Sequence, residues 1–203
     1  LSHETIYIYI YTPKRNLTQY LLRRKLGRKH RRMRLIKVGT GKNIPNRVDI
    51  DLRDKLANLR IETGHFECDT VESCRTRGRT NSCLTVMVDR ASRKTIIKKT
   101  ASKTSVETMK SILEVMKPYQ NTIKSITYDN GNEFAKHEKI NEELNIKSYF
   151  CKPYHSWEKG TVENINGLIR RFFPKGTNFD TITEEEISYV EDWINNRPMK
   201  ILN

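Results

Sequence analysis

The pattern of hydrophobic and polar positions predicts strands in the first part of the chain that can form a core. Three short runs are rich in β-branched residues: HFECDTV (65–71), SCLTVMVD (82–89) and KTIIKKT (94–100). The segments between these runs contain Gly, Ser, Asn and charged residues, which favour turns. Because the connections are short, the three strands are predicted to form an antiparallel meander.

After residue 100, segments with helical periodicity alternate with further strands. The first helical segment has Thr104 and Glu107 as a capping box and Pro118 as its stop. Its predicted apolar stripe comprises Val106, Met109, Ile112, Leu113 and Met116. The segments that follow are a strand at 122–129, a helix at 136–145, a strand at 146–151, and helices at 161–173 and 183–196. The last helix has its own capping box, Thr183 with Glu186.

This order of elements predicts the fold class. Antiparallel strands followed by strands that alternate with helices indicate an α/β fold with a mixed five-stranded sheet flanked by helices. The first and fourth strands of such a sheet can be neighbours. Residues about 60 positions apart in the chain are therefore able to lie side by side.

Residues 1–60 differ from the rest, and we interpret them as a basic helical or linker arm that precedes a core at 61–203. The segment 2–12 is predicted to be a helix, and a short amphipathic helix follows it. Residues 1–50 contain 13 Lys and Arg residues against Glu4 and Asp49, which places +11 of the net charge of +14 in this region. Such a cluster indicates a polyanionic partner, and DNA contacts are expected from Arg24, Arg31 and Arg32.

Composition narrows the class of protein further. The sequence has neither an apolar run of about 18 residues nor a signal peptide, which favours a soluble intracellular protein. The four cysteines form no CxxC pair, so reduced thiols are expected. A zinc site is an alternative, with ligands His65, Cys68, Cys74 and Cys83, although their spacing is unlike that of familiar zinc fingers.

Three carboxylates are candidates for a metal site at the ends of these elements. Asp69 lies on the first strand, Asp129 ends the fourth, and Glu163 lies early in the helix after the fifth. Clustered carboxylates repel one another unless a cation neutralises them, and oxygen ligands suit Mg²⁺ or Mn²⁺. The alternatives are a solvated edge residue for Asp69, a turn residue for Asp129 and a polar helix face for Glu163. Asp89 and Glu158 are competing carboxylates.

Three motifs resemble a known family: GHFECDTV, SITYDNGNEFAKH and YFCKPYHSWEKGTVENINGLIRRFFPKGTNF. They are similar to the DDE transposases of the insertion-sequence-30 family of bacterial mobile elements, which share the RNase H-like fold of the retroviral integrase core. The resemblance implies that Asp69, Asp129 and Glu163 are a catalytic, metal-binding triad, with 33 residues between the last two. Cys68 and Val162 depart from the Gly and Asn that the family commonly has there.

The resemblance also implies an activity, cofactors and partners. Two Mg²⁺ or Mn²⁺ ions would support DNA cleavage at an element end and attack of the freed 3′-hydroxyl on target DNA. The partners would be the terminal inverted repeats, target DNA and further copies of the chain, in the bacterial cytoplasm at the nucleoid. Residues 1–60 would be the end of an N-terminal DNA-binding region. A nuclease that cuts without joining and a catalytically idle DNA-binding fragment are the alternatives.

Further DNA contacts are expected near the third carboxylate. Lys152, His155 and Lys159 precede the helix of Glu163, and Arg170 follows Glu163 by seven residues on the same helix face. These cations are candidates for phosphate contacts, with ordinary surface charge as the alternative. Tyr154 and Trp157 are candidates for base stacking, although core packing is favoured for Trp157.

Overall fold

The computed structural model describes residues 3–11, 44–74, 82–153 and 155–199. The chain divides into two compact units, residues 1–37 and 38–203. In the first unit, helix α1 spans His3–Tyr11, as the sequence predicts. The second predicted helix of the arm lies outside the described residues, and so do Arg24, Arg31 and Arg32.

The second unit contains the remaining helices and the strands. Its strands are β1 (His65–Glu72), β2 (Cys83–Asp89), β3 (Thr95–Thr100), β4 (Ser125–Tyr128) and β5 (Lys147–Phe150). Its α-helices are α2 (Lys55–Leu59), α3 (Ser105–Met116), α4 (His137–Leu144), α5 (Gly160–Phe172) and α6 (Glu184–Asn196). Short 3-10 turns lie at Ile50–Leu52, Lys117–Tyr119, Asn132–Phe134 and Ser156–Lys159.

The strands form one mixed sheet in the order β3-β2-β1-β4-β5, which confirms the predicted five-stranded arrangement. The pairs β1–β2 and β2–β3 are antiparallel, whereas β1–β4 and β4–β5 are parallel. In the parallel pair of β1 and β4, Glu67 is opposite Thr127. Asp69 and Asp129 each lie two residues beyond these partners, so they reach the same edge of the sheet on the same face.

Helices cover both faces of the sheet. On one face, residues such as Phe66, Cys68 and Tyr128 pack in a core cluster with residues of α3 and α4. On the other face, Val71 and its neighbours pack against α5 and α6. Because side chains alternate along a strand, Glu67 and Asp69 lie on the face of Val71, towards α5.

Two details of the predicted helices need correction. At the start of α6, Thr183 and Glu186 form the full capping box. At α3 the structure shows half of the predicted box: the Thr104 side chain accepts a hydrogen bond from the Glu107 N–H at 3.4 Å. Val106 was expected in the apolar stripe of α3 but is 41% exposed. The buried stripe of α3 is formed by Thr108, Ile112 and Met116, and Val106 points away from this stripe around the helix.

The segment 44–60 is part of the second unit. Ile44, Ile50 and Ala57 are buried there, and Asp49 forms a parallel β-bridge with Phe150. The boundary expected at residue 60 therefore lies inside this unit. Within the described ranges, no helix combines the length and apolar character needed to cross a membrane.

Candidate active site

Two aspartates from neighbouring strands converge on one buried lysine. The Lys159 Nζ lies 3.2 Å from the Asp69 Oδ1 and 3.5 Å from the Asp129 Oδ2. Lys159 is only 5% exposed, although it lies in the 3-10 turn just before α5. Asp69 and Asp129 are therefore close together, as predicted, and their carboxylates share the ammonium group of Lys159.

The electrostatics of this cluster follow from its burial. Burial raises the pKa of Asp69, the Lys159 ammonium opposes that rise, and the Asp129 carboxylate adds to it. For Lys159, burial alone lowers the pKa, but the Asp69 and Asp129 carboxylates outweigh burial and hold the pKa above its ordinary value. Lys159 is therefore charged at neutral pH, and it offsets the repulsion between the two aspartates.

Helix α5 is attached to β1 at two points. The buried Glu67 forms an ion pair with Arg90, and its Oε2 accepts a hydrogen bond from the Val162 N–H at 2.9 Å. One turn later, the Asn166 Nδ2 donates to the Asp69 Oδ2 at 2.8 Å. Glu163 lies between these points, three residues before Asn166, on the same side of the helix.

The third member of the predicted triad is exposed. Glu163 lies in the first turn of α5, and its side chain is open to solvent. In the part of the chain that the structure describes, no three His, Cys, Asp or Glu side chains form a metal-binding group. The structure thus brings Asp69 and Asp129 together, and a metal-binding role for Glu163 stays a prediction.

The residues present fit a divalent cation. Asp69 and Asp129 direct carboxylate oxygens at the same positively charged group, and these oxygens are the ligands that Mg²⁺ and Mn²⁺ prefer. Glu163 supplies a third carboxylate on the helix that contacts Asp69 through Asn166. The donor set therefore suits the ions that the resemblance implies.

The turn after β4 fixes the orientation of Asp129. Its Oδ1 accepts the Gly131 N–H at 3.0 Å, while its Oδ2 faces Lys159. Asp129 is thus both a turn residue and a member of the charged cluster. A Cβ atom at Gly131 would lie 2.4 Å from the Glu133 Oε2, so a larger residue there would have to displace this carboxylate. The Glu133 Oε1 is held by the Thr70 hydroxyl at 3.1 Å and by the Lys103 Nζ at 3.0 Å.

The residues expected to contact DNA have different surroundings. The Lys152 Nζ pairs with the Asp51 Oδ2, and the His155 Nδ1 lies 3.3 Å from the Glu158 Oε1. The Arg170 Nη2 donates to the Glu72 carbonyl oxygen at 2.6 Å. Lys159 is buried, so ordinary surface charge does not describe it. DNA contacts by Lys152, His155, Lys159 and Arg170 stay predictions, while Tyr154 and the Trp157 side chain lie outside the described residues.

Two alternatives are wrong on geometric grounds. The Asp89 carboxylate accepts hydrogen bonds from the backbone N–H groups of Gly64, Ala91 and Ser92, so it stabilises a turn. The zinc site fails because Cys83 pairs with Glu72 at the end of β1 far from His65. His65 and Glu72 are seven positions apart along β1, which corresponds to about 23 Å, so His65 and Cys83 are too far apart to bind one ion.

The roles of three site residues were not predicted from the sequence: Glu67, Lys159 and Asn166. Glu67 lies two positions before Asp69, and the strand period of two places both on one face, so a signal existed. Lys159 and Asn166 flank Glu163 at positions −4 and +3, which are one helical turn away. Their contacts with β1 depend on how α5 docks, which local sequence does not give.

The sequence of this chain is similar to those of known integrases and transposases. Residues 60–156 match the integrase core domain family. The chain is 43% identical over 205 residues to the transposase for insertion sequence element IS4351 of Bacteroides fragilis, with 100% of this chain and 61% of the relative covered. It is 36% identical over 208 residues to the transposase InsI for insertion sequence element IS30A of Escherichia coli (strain K12), with 100% and 53% covered.

Along its whole length the chain is similar to IS30-like insertion-sequence transposases. It spans 61% of the length of the Bacteroides fragilis relative and 53% of the length of the Escherichia coli relative. The similarity between this IS30-like chain and its relatives includes both strands that carry the aspartates and the helix that carries Glu163.

Solved structures support the fold of this IS30-like chain. A chain of the simian T-cell lymphotropic virus intasome, solved with PP2A regulatory subunit B56 gamma, aligns with a TM-score of 0.56 at 20% identity, covering 68% of this chain and 50% of that one. The HTLV-2 integrase catalytic core domain, solved with magnesium, gives 0.52 at 20% identity, covering 69% and 92%. The RNase H-like integrase-core fold is thereby confirmed.

Proposed function

We propose that this chain is the catalytic part of a transposase that cuts DNA at the ends of a bacterial insertion sequence and joins those ends to target DNA. The observation that carries the proposal is the convergence of Asp69, within β1, and Asp129, directly after the neighbouring parallel strand β4, beside the helix of Glu163. The curated relatives named as insertion-sequence transposases support it.

Asp69, Asp129 and Glu163 would hold one or two Mg²⁺ or Mn²⁺ ions. When bound, such ions activate the attacking hydroxyl group and stabilise the leaving oxygen of a phosphodiester. The protein keeps its carboxylates oriented for metal binding, because the Gly131 N–H holds Asp129 and Asn166 holds Asp69. Glu67 fixes the first turn of α5, from which Glu163 projects.

The reaction would consist of two displacements at phosphorus. In the first, a water oxygen forms a bond to phosphorus at the element end, and the bond to the 3′-oxygen breaks, leaving a 3′-hydroxyl. In the second, that 3′-oxygen forms a bond to a target phosphorus, and the target strand leaves through its own 3′-oxygen. Each attacking hydroxyl loses a proton and each leaving oxygen gains one. Because water and then the 3′-oxygen attack phosphorus directly, no covalent enzyme intermediate is required.

DNA is the proposed partner, as terminal inverted repeats and as target. The net charge of +14 supports this partner, because Lys and Arg side chains neutralise phosphates. The basic residues of the arm, including Arg24, Arg31 and Arg32, would supply much of the affinity, and Lys152, His155 and Arg170 would add further contacts. A homo-oligomer on paired ends in the bacterial cytoplasm completes the proposal.

One observation favours a second candidate, a catalytically idle DNA-binding fragment. The ammonium of Lys159 occupies the position between Asp69 and Asp129 where a cation is needed. If this lysine cannot be displaced, the carboxylates would serve only to stabilise the fold.

A joining assay separates these candidates. The chain is incubated with Mn²⁺, supercoiled plasmid and a pre-nicked duplex that carries an exposed 3′-hydroxyl group. A matched duplex ending in a 3′-dideoxynucleotide is the control, because it binds equally but cannot attack. Joined product from the hydroxyl duplex alone supports the transposase. Cutting without joining indicates a nuclease, and binding without any product indicates the idle fragment.

A further inference from the structure

An open cavity of about 450 Å³ borders the first turn of α5. Three arginines line it: Arg60 at the end of α2, Arg93 in the turn between β2 and β3, and Arg197 after α6. The helix contributes Gly160, Thr161 and Asn164. This arginine cavity thus collects three guanidinium groups from separate parts of the chain beside the helix turn that carries Glu163.

The three guanidinium groups of the arginine cavity lack carboxylate partners in the described structure. Across residues 44–74, 82–153 and 155–199, none of the three arginines forms an ion pair with an Asp or Glu side chain. Arg93 is 8% exposed, and its Nη1 donates to the Thr161 hydroxyl at 2.9 Å. The Arg197 Nη1 donates to the Ile194 carbonyl oxygen. These two partners are neutral, so the positive charge of Arg93 is offset only in part, by the more distant carboxylates of Glu67 and Asp89.

Burial acts on the acid–base properties of two of these side chains, and at Arg93 a neighbouring like charge adds to it. Burial lowers the pKa of Arg93, and the charge of Arg60 lowers it further. Burial also lowers the pKa of Arg197. A buried cation such as Arg93 beside the charge of Arg60 is unfavourable on its own, and an anion in the cavity would relieve the repulsion.

We propose that the arginine cavity binds a phosphate group. Guanidinium groups donate paired hydrogen bonds that match the oxygens of a phosphate, and the positive end of the α5 dipole adds to the attraction. In the proposed function this group is a backbone phosphate of DNA that passes the first turn of α5, so this assignment of the source rests on that function. A free phosphate ion has the same chemistry and is distinguished by the experiment.

The first test replaces the two more accessible arginines. Arg60→Gln with Arg197→Gln removes two positive charges and leaves the buried Arg93 with its Thr161 hydrogen bond. Lys117→Gln with Lys139→Gln is the charge-matched control, since both lysines are exposed and lie away from the cavity. Each protein is titrated with fluorescent duplex DNA over a range of NaCl, without divalent metal, and its thermal midpoint is measured in phosphate and in chloride at equal ionic strength.

Wild type and control should gain thermal stability from phosphate, and the cavity variant should lose that gain. The variant should also bind DNA about tenfold more weakly, as expected when charge-assisted hydrogen bonds are lost. The slope of log affinity against log salt should fall by about one unit beyond the change in the control.

Gly160→Asp is a second variant that guards against loss of folding. A Cβ atom at Gly160 would meet no atom within 4 Å, so the new carboxylate has space at the cavity wall. A carboxylate in the first turn of a helix is favourable, and here it would also face the arginines. The thermal midpoint should equal or exceed that of wild type, while the gain from phosphate disappears.

The outcomes separate the sources of the phosphate. Loss of both the phosphate gain and DNA affinity assigns the cavity to a DNA phosphate. Loss of the phosphate gain with DNA affinity equal to the control supports a free phosphate ion instead. If both quantities match the control in both variants, the proposal is wrong. Because no chemistry occurs in these assays, failure of strand joining would overturn the proposed function without altering this result.

Discussion

The ammonium group of Lys159 lies 3.2 Å from the Oδ1 of Asp69, in a position where only 5% of the lysine is exposed. The same ammonium is 3.5 Å from the Oδ2 of Asp129. Two carboxylates that would otherwise repel each other are therefore held together by a group of the protein itself. Lys159 accordingly acts as an internal counter-ion for the candidate metal site.

Replacing this counter-ion should destabilise the protein. We expect Lys159→Met to lower the free energy of unfolding by about 2 kcal/mol in the absence of divalent metal, a value between those of exposed and fully buried ion pairs. Urea denaturation measures this change. Lys139→Met on α4 is the matched control, because Lys139 is exposed, and it should change stability by less than about 0.5 kcal/mol.

Added metal should restore the lost stability. Mg²⁺ should raise the thermal midpoint of Lys159→Met more than that of wild type, because a cation can replace the missing ammonium without competing with it. Equal increases in the two proteins would show that Lys159 and the metal do not share a position.

Glu67 gives a second prediction, for the attachment of α5. Glu67→Leu should lower the free energy of unfolding by about 3–5 kcal/mol, because it leaves the charge of Arg90 buried without a partner. In the double variant Glu67→Leu with Arg90→Met, the ion pair is replaced by apolar groups, and much of this loss should be recovered. Chemical denaturation of wild type, the two single variants Glu67→Leu and Arg90→Met, and the double variant gives the coupling between the residues.

Recovery in the double variant should stay incomplete. The Val162 N–H and the Ala57 carbonyl oxygen would both lose side-chain partners, at about 1–3 kcal/mol for each group that stays buried. Equal losses in the single and double variants would mean that the ion pair has no part in the effect.

His137 gives a prediction for the dependence of stability on pH. This residue is 2% exposed, lies edge-on to Phe150 with ring centroids 4.8 Å apart, and has its pKa lowered by burial. The folded state therefore favours the neutral ring, whereas the unfolded chain takes up a proton near pH 6.5. The contribution of His137 is complete above about pH 6.5 and is lost as the pH falls below it.

The measurement compares wild type with His137→Phe, which cannot take up the proton. Thermal midpoints at pH 7.5, 6.5 and 5.5 should fall more steeply for wild type than for the variant. Parallel curves for the two proteins would contradict the assignment.

Much of the site could be predicted because it follows from strand order. The adjacency of β1 and β4 needs only the meander and the alternating elements after it, and it brings Asp69 beside Asp129. The strand period also places Glu67 and Asp69 on the same face of the sheet. The order of elements and the strand period can both be recognised along the chain before the tertiary structure is known.

The unpredicted part depends on tertiary docking. The sequence indicates a surface cation at Lys159, which is buried only because α5 packs against β1. The spacing of Val106 predicts a core residue, but the docking of α3 buries the stripe of Thr108, Ile112 and Met116 instead. The arginine cavity joins residues about 33 and 104 positions apart, which no periodicity relates.

The most direct test of the central claim, that these carboxylates form the catalytic centre, is the joining assay with Asp129→Asn beside Asp180→Asn. Both changes remove one carboxylate charge, but Asp180 is exposed and its side chain lies outside the site. With Mn²⁺ and equal DNA binding, Asp180→Asn should join strands like wild type, whereas Asp129→Asn should lose about a hundredfold or more. Joining by Asp129→Asn at the wild-type rate would contradict the claim.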